Sequence, residues 1–220
     1  MPHSVWCFQP QAEGVPDVGP LPALRNRYVS FASMNSVAKL NDRLVGLWAN
    51  LLDRVNDARL LVATVAPGTA RERILRTLGA KGIDAQRIEF RGRLPRHEFL
   101  ALHNEVDIAL DAYPCNGGAT TCEALWQGVP VISLAGDAFE SRAGLSLLSS
   151  AGLPRLVAHS AADYLDLAAS LARDREGLRQ LRAGLRETLR ASPLMDASVY
   201  TRALEEQYRG AWRTWCATRK

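Results

Sequence analysis

A chain of 220 residues with 47% hydrophobic and 23% charged residues fits a globular domain with one good core, and excludes a disordered protein. Its formal charge of +4 raises nucleic acid as a partner, but the arginines fall at helical spacing, as in REGLRQLRAGLRETLR, and no basic stripe carries interleaved aromatics. A solvated helix face accounts for them, and no nucleic acid is expected as a partner. No apolar run is long enough to span a bilayer, and MPHSVWCFQP lacks the basic-then-apolar order of a secretory leader, so no membrane is expected either. Cys7, Cys115, Cys122 and Cys216 form no C-x-x-C pair and read as reduced thiols of a cytoplasmic protein. The histidines are scattered, and no metal site is expected.

Residues 1–27 hold five of the eleven prolines and read as an extended linker, although Trp6 and Phe8 within it belong on a surface. From Tyr28 onward, short β-branched or aromatic runs recur: YVSFASM, RLLVATV, RIEFRGR, VDIALDAYP, VPVISLAG and RLVAH. Helical spacing begins between and after them near Asn41, Gly68, Arg96, Thr120, Ser141 and Ala161. Buried strands that alternate with helices predict an α/β fold, a Rossmann-like doubly wound parallel sheet over residues 28–173. Helices over residues 174–220 are expected to pack on it, the last from about Ala197 to Ala217. That helix carries Tyr200, Leu204, Tyr208 and Trp212 at successive i+4 positions, a stripe that ordinarily marks core.

Ligands of open α/β sheets bind beyond the carboxyl ends of the strands, and three loops there carry polar chemistry. The first reads DAYPCNGGATTCEALWQGVP, residues 111–130. Gly117 and Gly118 let backbone approach a ligand, and Ala119, Thr120 and Thr121 enter a first helical turn whose free amides and dipole suit a phosphate. Glu123, one turn on from Thr120, is placed to accept hydrogen bonds from ribose hydroxyls. The alternative is plain helix capping by Asn116 and the threonines, with Glu123 complementing the dipole. The second loop, FASMNSVAKLND, brings Lys39, one of three lysines beside twenty-four arginines, to a helix entrance within reach of a diphosphate. The third, RGRLPRHEFLALH, offers Arg96 or His97 to phosphate or base from a helix opened by Pro95. No Ser/His/Asp arrangement and no paired carboxylates stand out.

The strings WCFQP, FASMNSVAKLN and RIEFRGRLPRHEFLALHNEVDIALDAYPCNGGATTCEALWQGVPVISLAGDAFESRAGLSLLSSAGLP resemble the C-terminal catalytic half of the O-linked N-acetylglucosamine transferase (SPINDLY-like) family. The resemblance covers nearly the whole chain, and its core D-x-x-P-x-N-G-x-x-T-T-x-x-[DE]-A-L-W-x-G-V-P is specific. It implies the C-terminal lobe of a GT-B glycosyltransferase that binds UDP-N-acetylglucosamine without a metal ion or other cofactor. It also implies protein acceptors, with an N-terminal catalytic lobe and tetratricopeptide repeats as partners in cis or trans. Carried over, it makes Lys39 the diphosphate-contacting lysine and leaving-group stabiliser, Arg96 a cation beside the uridine, and Thr120 with Thr121 the phosphate threonines. Glu123 stands where the family has an aspartate on the ribose, and Asn116, Gly117 and Gly118 complete the nucleotide site. Weaker candidates are Ser36, Leu94, Phe99 and Ala119. Ser36, Phe99 and Ala119 stand where the family has an amide, a histidine and a threonine, so each loses a polar contact. The groups proposed for catalysis belong to the N-terminal lobe, so the chain alone is expected to be inactive. Two rival readings are a degenerate lobe serving as a protein-interaction module and another GT-B sugar-nucleotide enzyme.

Overall fold

The computed structural model describes residues 4–11 and 13–218. The six apolar runs form one sheet of six strands: β1 (Ser30–Ser33), β2 (Arg59–Val62), β3 (Ile88–Phe90), β4 (Ile108–Leu110), β5 (Val131–Leu134) and β6 (Val157–Ala158). Their order is β3-β2-β1-β4-β5-β6, and every pairing is parallel. Phe31 sits in the middle of the sheet, opposite Leu60 on one side and Ile108 on the other. All four residues of β1 and of β5 are buried, which is why these strands read as continuous apolar runs rather than alternating ones.

Helices connect and cover the strands: α2 (Asp42–Arg54), α3 (Thr69–Gly79), α4 (Arg96–Leu102), α5 (Ala119–Trp126), α6 (Ala143–Ser150) and α7 (Ala161–Arg173). A further helix, α8 (Arg175–Arg190), follows α7 directly. Packing joins α2 to α3 and α7, and α5 to α6 and α8. Right-handed crossovers in a sheet whose order reverses between β1 and β4 put these two groups on opposite faces. Trp48 of α2 and Tyr164 of α7 are both fully buried, and the Trp48 indole donates to the Tyr164 hydroxyl at 3.3 Å. Four helices begin on conventional caps. Asn41 accepts from the Leu44 amide, Ser160 from that of Asp163, Asp174 from that of Gly177, and Asp196 from that of Val199.

The N-terminal segment departs from the extended linker expected of residues 1–27. It contains a short helix, α1 (Pro22–Asn26), and buries Leu21 and Ala23. Buried Asp107 accepts from the amides of Ala23 and Ser30, at 2.9 and 2.8 Å. Arg182 of α8, only 2% exposed, donates to the carbonyls of Gly19, Val106 and His103 and to Asn104 Oδ1. Proline-rich sequence set the backbone path, and apolar side chains with buried acceptors fixed it to the domain.

The C-terminal helices divide. Leu178, Leu185 and Leu189 of α8 are buried, whereas α9 (Ala197–Thr218) buries none of its residues. Tyr208 and Trp212 are 67% and 62% exposed, and the Trp212 and Trp215 rings stack at 5.0 Å. The i+4 stripe is therefore a surface feature of this chain. Among the described residues, no helix is long and apolar enough to cross a membrane.

Candidate functional site

The strand order reverses between β1 and β4, and the loops leaving these neighbours diverge to helices on opposite faces. The crevice between them is built from residues 34–41 and 111–118. Lys39 ends a single 3-10 turn, Val37–Lys39, and its half-buried side chain donates to the Asn116 carbonyl at 2.7 Å. That bond carries the ammonium from the β1 loop to the β4 loop.

Asp111 organises the second loop. Its carboxylate accepts from the Gly117 amide (2.6 Å), the Ala112 amide (2.9 Å) and the Ser133 hydroxyl (2.7 Å), with the Asn35 amide at 3.5 Å. Burial pushes this carboxyl up to about 6, against the opposing pull of those hydrogen bonds and of Lys39. A folded value above the ordinary 3.8 means a stability contribution that is complete below that pH and lost as pH rises through 6. Asp111→Asn retains an acceptor for the two amides and a donor for Ser133. Relative to the parent, it is expected to gain stability between about pH 4 and 6, by up to roughly 3 kcal/mol. Urea unfolding across that range checks this; a difference that does not change with pH rules it out.

The glycines have a packing role that was not read from sequence. A methyl group at Gly117 would stand 2.6 and 2.7 Å from the hydroxyls of Thr120 and Thr121, and 3.0 Å from Asn35 Oδ1. The threonines fold back over the glycine, and the Thr120 hydroxyl donates to Asn35 Oδ1 at 3.3 Å. At Gly118 the methyl would meet the ring of Trp6 at 2.5 Å. Both glycines make room for protein atoms, not only for a ligand. Asn116 is likewise turned inward. Its side-chain amide donates to the carbonyls of Ala112 and Leu134 and accepts from the Gly144 amide, so it shapes the loop and contributes its carbonyl to Lys39.

No side chain caps α5 at Gly118, in contrast to α2, α7 and α8. Among the described residues, the amides of Gly118, Ala119 and Thr120 donate to no protein acceptor. Open amides at the positive end of a helix, beside the Lys39 ammonium, form a site for an anion. Thr121 is buried behind this turn, while Ala119 and Ser36 lie exposed at its rim.

One turn along α5, the Glu123 carboxylate (12% exposed) is paired with Arg96 of α4 at 2.6 Å. The bond to Glu123 raises the guanidinium further above its ordinary value, so Arg96 carries its charge throughout. The pair leaves the remaining Arg96 donors and the second Glu123 oxygen for a ligand. Phe99 is half-buried with its ring edge-on to His103 at 5.5 Å, and Leu94 packs against the core. His103 is fully buried. Its Nδ1 lies 3.1 and 3.2 Å from the Phe99 and Leu100 carbonyls and carries the proton, and desolvation lowers the ring to about 4, keeping it neutral.

Lys39, Asn116, Gly117, Gly118, Thr120 and Thr121 thus form one cluster, with Arg96 and Glu123 a turn away. Sequence reasoning passed over Asn35, Asp111 and Thr64. Thr64 has φ of 61°, a strained value for a β-branched residue, and its hydroxyl holds the Asn35 carbonyl at 3.0 Å. An acid inside the apolar run IALDA was the signal for Asp111. A separate concavity of about 480 Å³ lies at the starts of α2 and α7, lined by Arg43, Lys81, Tyr113 and His159 among others. None of the expected site residues lines it. Among the described residues, no group of three or more His, Cys, Asp or Glu side chains is placed to hold a metal.

This parallel sheet, with an uncapped helix start at its switch point, is that of the Rossmann-like lobe of GT-B glycosyltransferases. The C-terminal domain of the Francisella tularensis glycosyl transferase LpcC shares the fold at 14% identity and a TM-score of 0.56, over 83% of this chain and 93% of that one. The chain belongs to glycosyl transferase family 41, whose model matches residues 21–204. It is 38% identical over 219 residues to a probable UDP-N-acetylglucosamine–peptide N-acetylglucosaminyltransferase SPINDLY of Petunia hybrida, covering 98% of this chain and 23% of that protein. A mutant O-GlcNAc transferase of Thermobaculum terrenum superposes with a TM-score of 0.85 at 34% identity, over 96% of this chain and 40% of that one. The chain spans about a quarter of the length of the curated relatives it matches.

Proposed function

We propose that this chain is the UDP-N-acetylglucosamine-binding half of a protein O-GlcNAc transferase-like glycosyltransferase, which in its full-length form transfers the sugar with inversion to serine or threonine hydroxyls. The observation that carries the reading is the uncapped start of α5 with the Lys39 ammonium held beside it. In the transfer, the bond between the anomeric carbon and the β-phosphate oxygen breaks, and negative charge grows on the departing diphosphate. Lys39 and the amides of Gly118, Ala119 and Thr120 meet that charge, which is electrostatic stabilisation of a leaving group. Arg96 and Glu123 receive the nucleoside, with Glu123 on the ribose hydroxyls. No metal ion or other cofactor enters the reading. An N-terminal lobe and tetratricopeptide repeats, in the same chain or another, supply the acceptor-side groups, and the cytoplasm is the compartment.

Calorimetry with UDP, UDP-N-acetylglucosamine and UDP-glucose, with GDP as the control for the base, tests the proposal. The pure 220-residue chain is expected to bind UDP weakly and to transfer no sugar to a protein acceptor. Absence of binding by every uridine nucleotide overturns the site. Measurable glycosylation by this chain alone overturns the division of labour between lobes.

A further inference from the structure

Trp6 lies outside the stretch matched by the family model, yet it touches the turn on which the proposed function rests. The benzo edge of its indole abuts Gly118, where a methyl group would stand 2.5 Å from Cη2, 2.9 Å from Cζ3 and 3.0 Å from Cζ2. Trp6 is 37% exposed and also walls an apolar cleft of about 500 Å³ shared with Val5, Phe139 and α6. Two residues on, Phe8 packs edge-on against Trp126, the last residue of α5, with centroids 6.4 Å apart. The N-terminal segment therefore touches α5 at both ends.

This segment is held from several sides. The Phe8 amide donates to the Leu194 carbonyl at 2.8 Å, and the Tyr200 hydroxyl to the Val5 carbonyl at 3.3 Å. The Trp6 amide donates to the Ser4 hydroxyl, which in turn accepts from Ser146 of α6. A helix of eight residues that starts without a side-chain cap has little intrinsic hold on its first turn. A flat aromatic edge against the cap residue supplies what the missing cap does not.

We propose that Trp6 is a positioning residue for diphosphate binding: it clamps Gly118 and holds the free amides of Gly118, Ala119 and Thr120 in their converging geometry. This rests on the functional reading above, and it names a residue that meets the phosphates only through the turn. The clamp acts on the phosphate end of the site and leaves the Arg96–Glu123 end untouched, so it separates UDP from uridine.

The test compares Trp6→Ala and Trp6→Phe with the parent, with UDP, inorganic pyrophosphate and uridine as probes. Trp6→Ala is expected to weaken UDP and pyrophosphate by roughly tenfold, as aromatic packing energies imply, with uridine affinity within about twofold of the parent. Trp6→Phe is expected to recover most of the loss. Equal affinities in Trp6→Ala and the parent overturn the proposal, as does a parallel loss of UDP and uridine, which would mark a merely structural ring. If the parent binds no UDP, the functional reading falls, and amide hydrogen exchange decides on the clamp alone. Faster exchange at Gly118–Thr121 in Trp6→Ala, with the rest of the sheet unchanged, supports it; unchanged exchange there overturns it.

Discussion

Lys39→Ala is expected to weaken UDP binding by about ten- to hundredfold while leaving uridine almost unaffected. A hydrogen bond to a charged group contributes roughly 1.5–3 kcal/mol, and each 1.4 kcal/mol is a factor of ten. Lys39 is the cation fixed at the α5 start by its bond to the Asn116 carbonyl, and it stands apart from the Arg96–Glu123 pair. Its contribution should shrink with added salt, because a half-exposed charge contact is screened over about 10 Å at 0.1 M ionic strength. Glu123→Ala should fail differently. Removing a carboxylate from the ribose weakens UDP and uridine alike, and discrimination against the 2′-deoxy nucleotide falls. Calorimetry on both variants, after circular dichroism has shown them folded, checks the contrast. If both bind UDP as the parent does, the loop is a helix entrance and nothing more.

Gly117→Ala is expected to abolish measurable UDP binding and to lower the melting temperature. The added methyl would collide with the hydroxyls of Thr120 and Thr121 and with Asn35 Oδ1, all within 3.0 Å. Rotating Thr120 away removes its bond to Asn35, so the neighbours cannot yield without dismantling the turn. Overpacking of this kind costs about 1–3 kcal/mol, and in a chain of this size each kcal/mol moves the melting temperature by about 2–4 °C. Gly184→Ala on α8 is the control, since a methyl there meets nothing within 4 Å and helix propensity favours alanine. A Gly117→Ala protein that melts and binds like the parent would show that the threonines are not folded over the glycine in solution.

The fold was largely legible because its signals are periodic. Helix starts expected near Asn41, Gly68 and Ala161 lie within one residue of the observed Asp42, Thr69 and Ala161. The start expected near Ser141 is preempted by a 3-10 turn, Phe139–Ser141, and α6 begins at Ala143. The run VDIALDAYP was longer than its strand, since only Ile108–Leu110 pairs and Asp111 onward turns into the site loop. Residue types pointed to the loops at the switch point, but not to the direction in which each side chain points. Asn116 is a plausible ligand contact by type and position, yet three internal hydrogen bonds turn it inward. Trp6 and Asn35 act through partners 112 and 85 residues away in the chain, which no local pattern reveals.

Arg182 has a bearing on how this domain tolerates change over time. Three of the four acceptors it engages are main-chain carbonyls, those of Gly19, Val106 and His103. A main-chain acceptor is present whatever side chain its residue carries. The Arg182 bond to Gly19 is one of three from α8 to carbonyls of the N-terminal segment, beside those of Arg186 to Pro16 and Arg175 to Ala23, and none of the three depends on the side chain its acceptor residue carries. Substitutions at the segment's exposed positions can accumulate at little cost to its course, and the burden of invariance falls on three codons of α8 and on the buried Leu21 and Ala23.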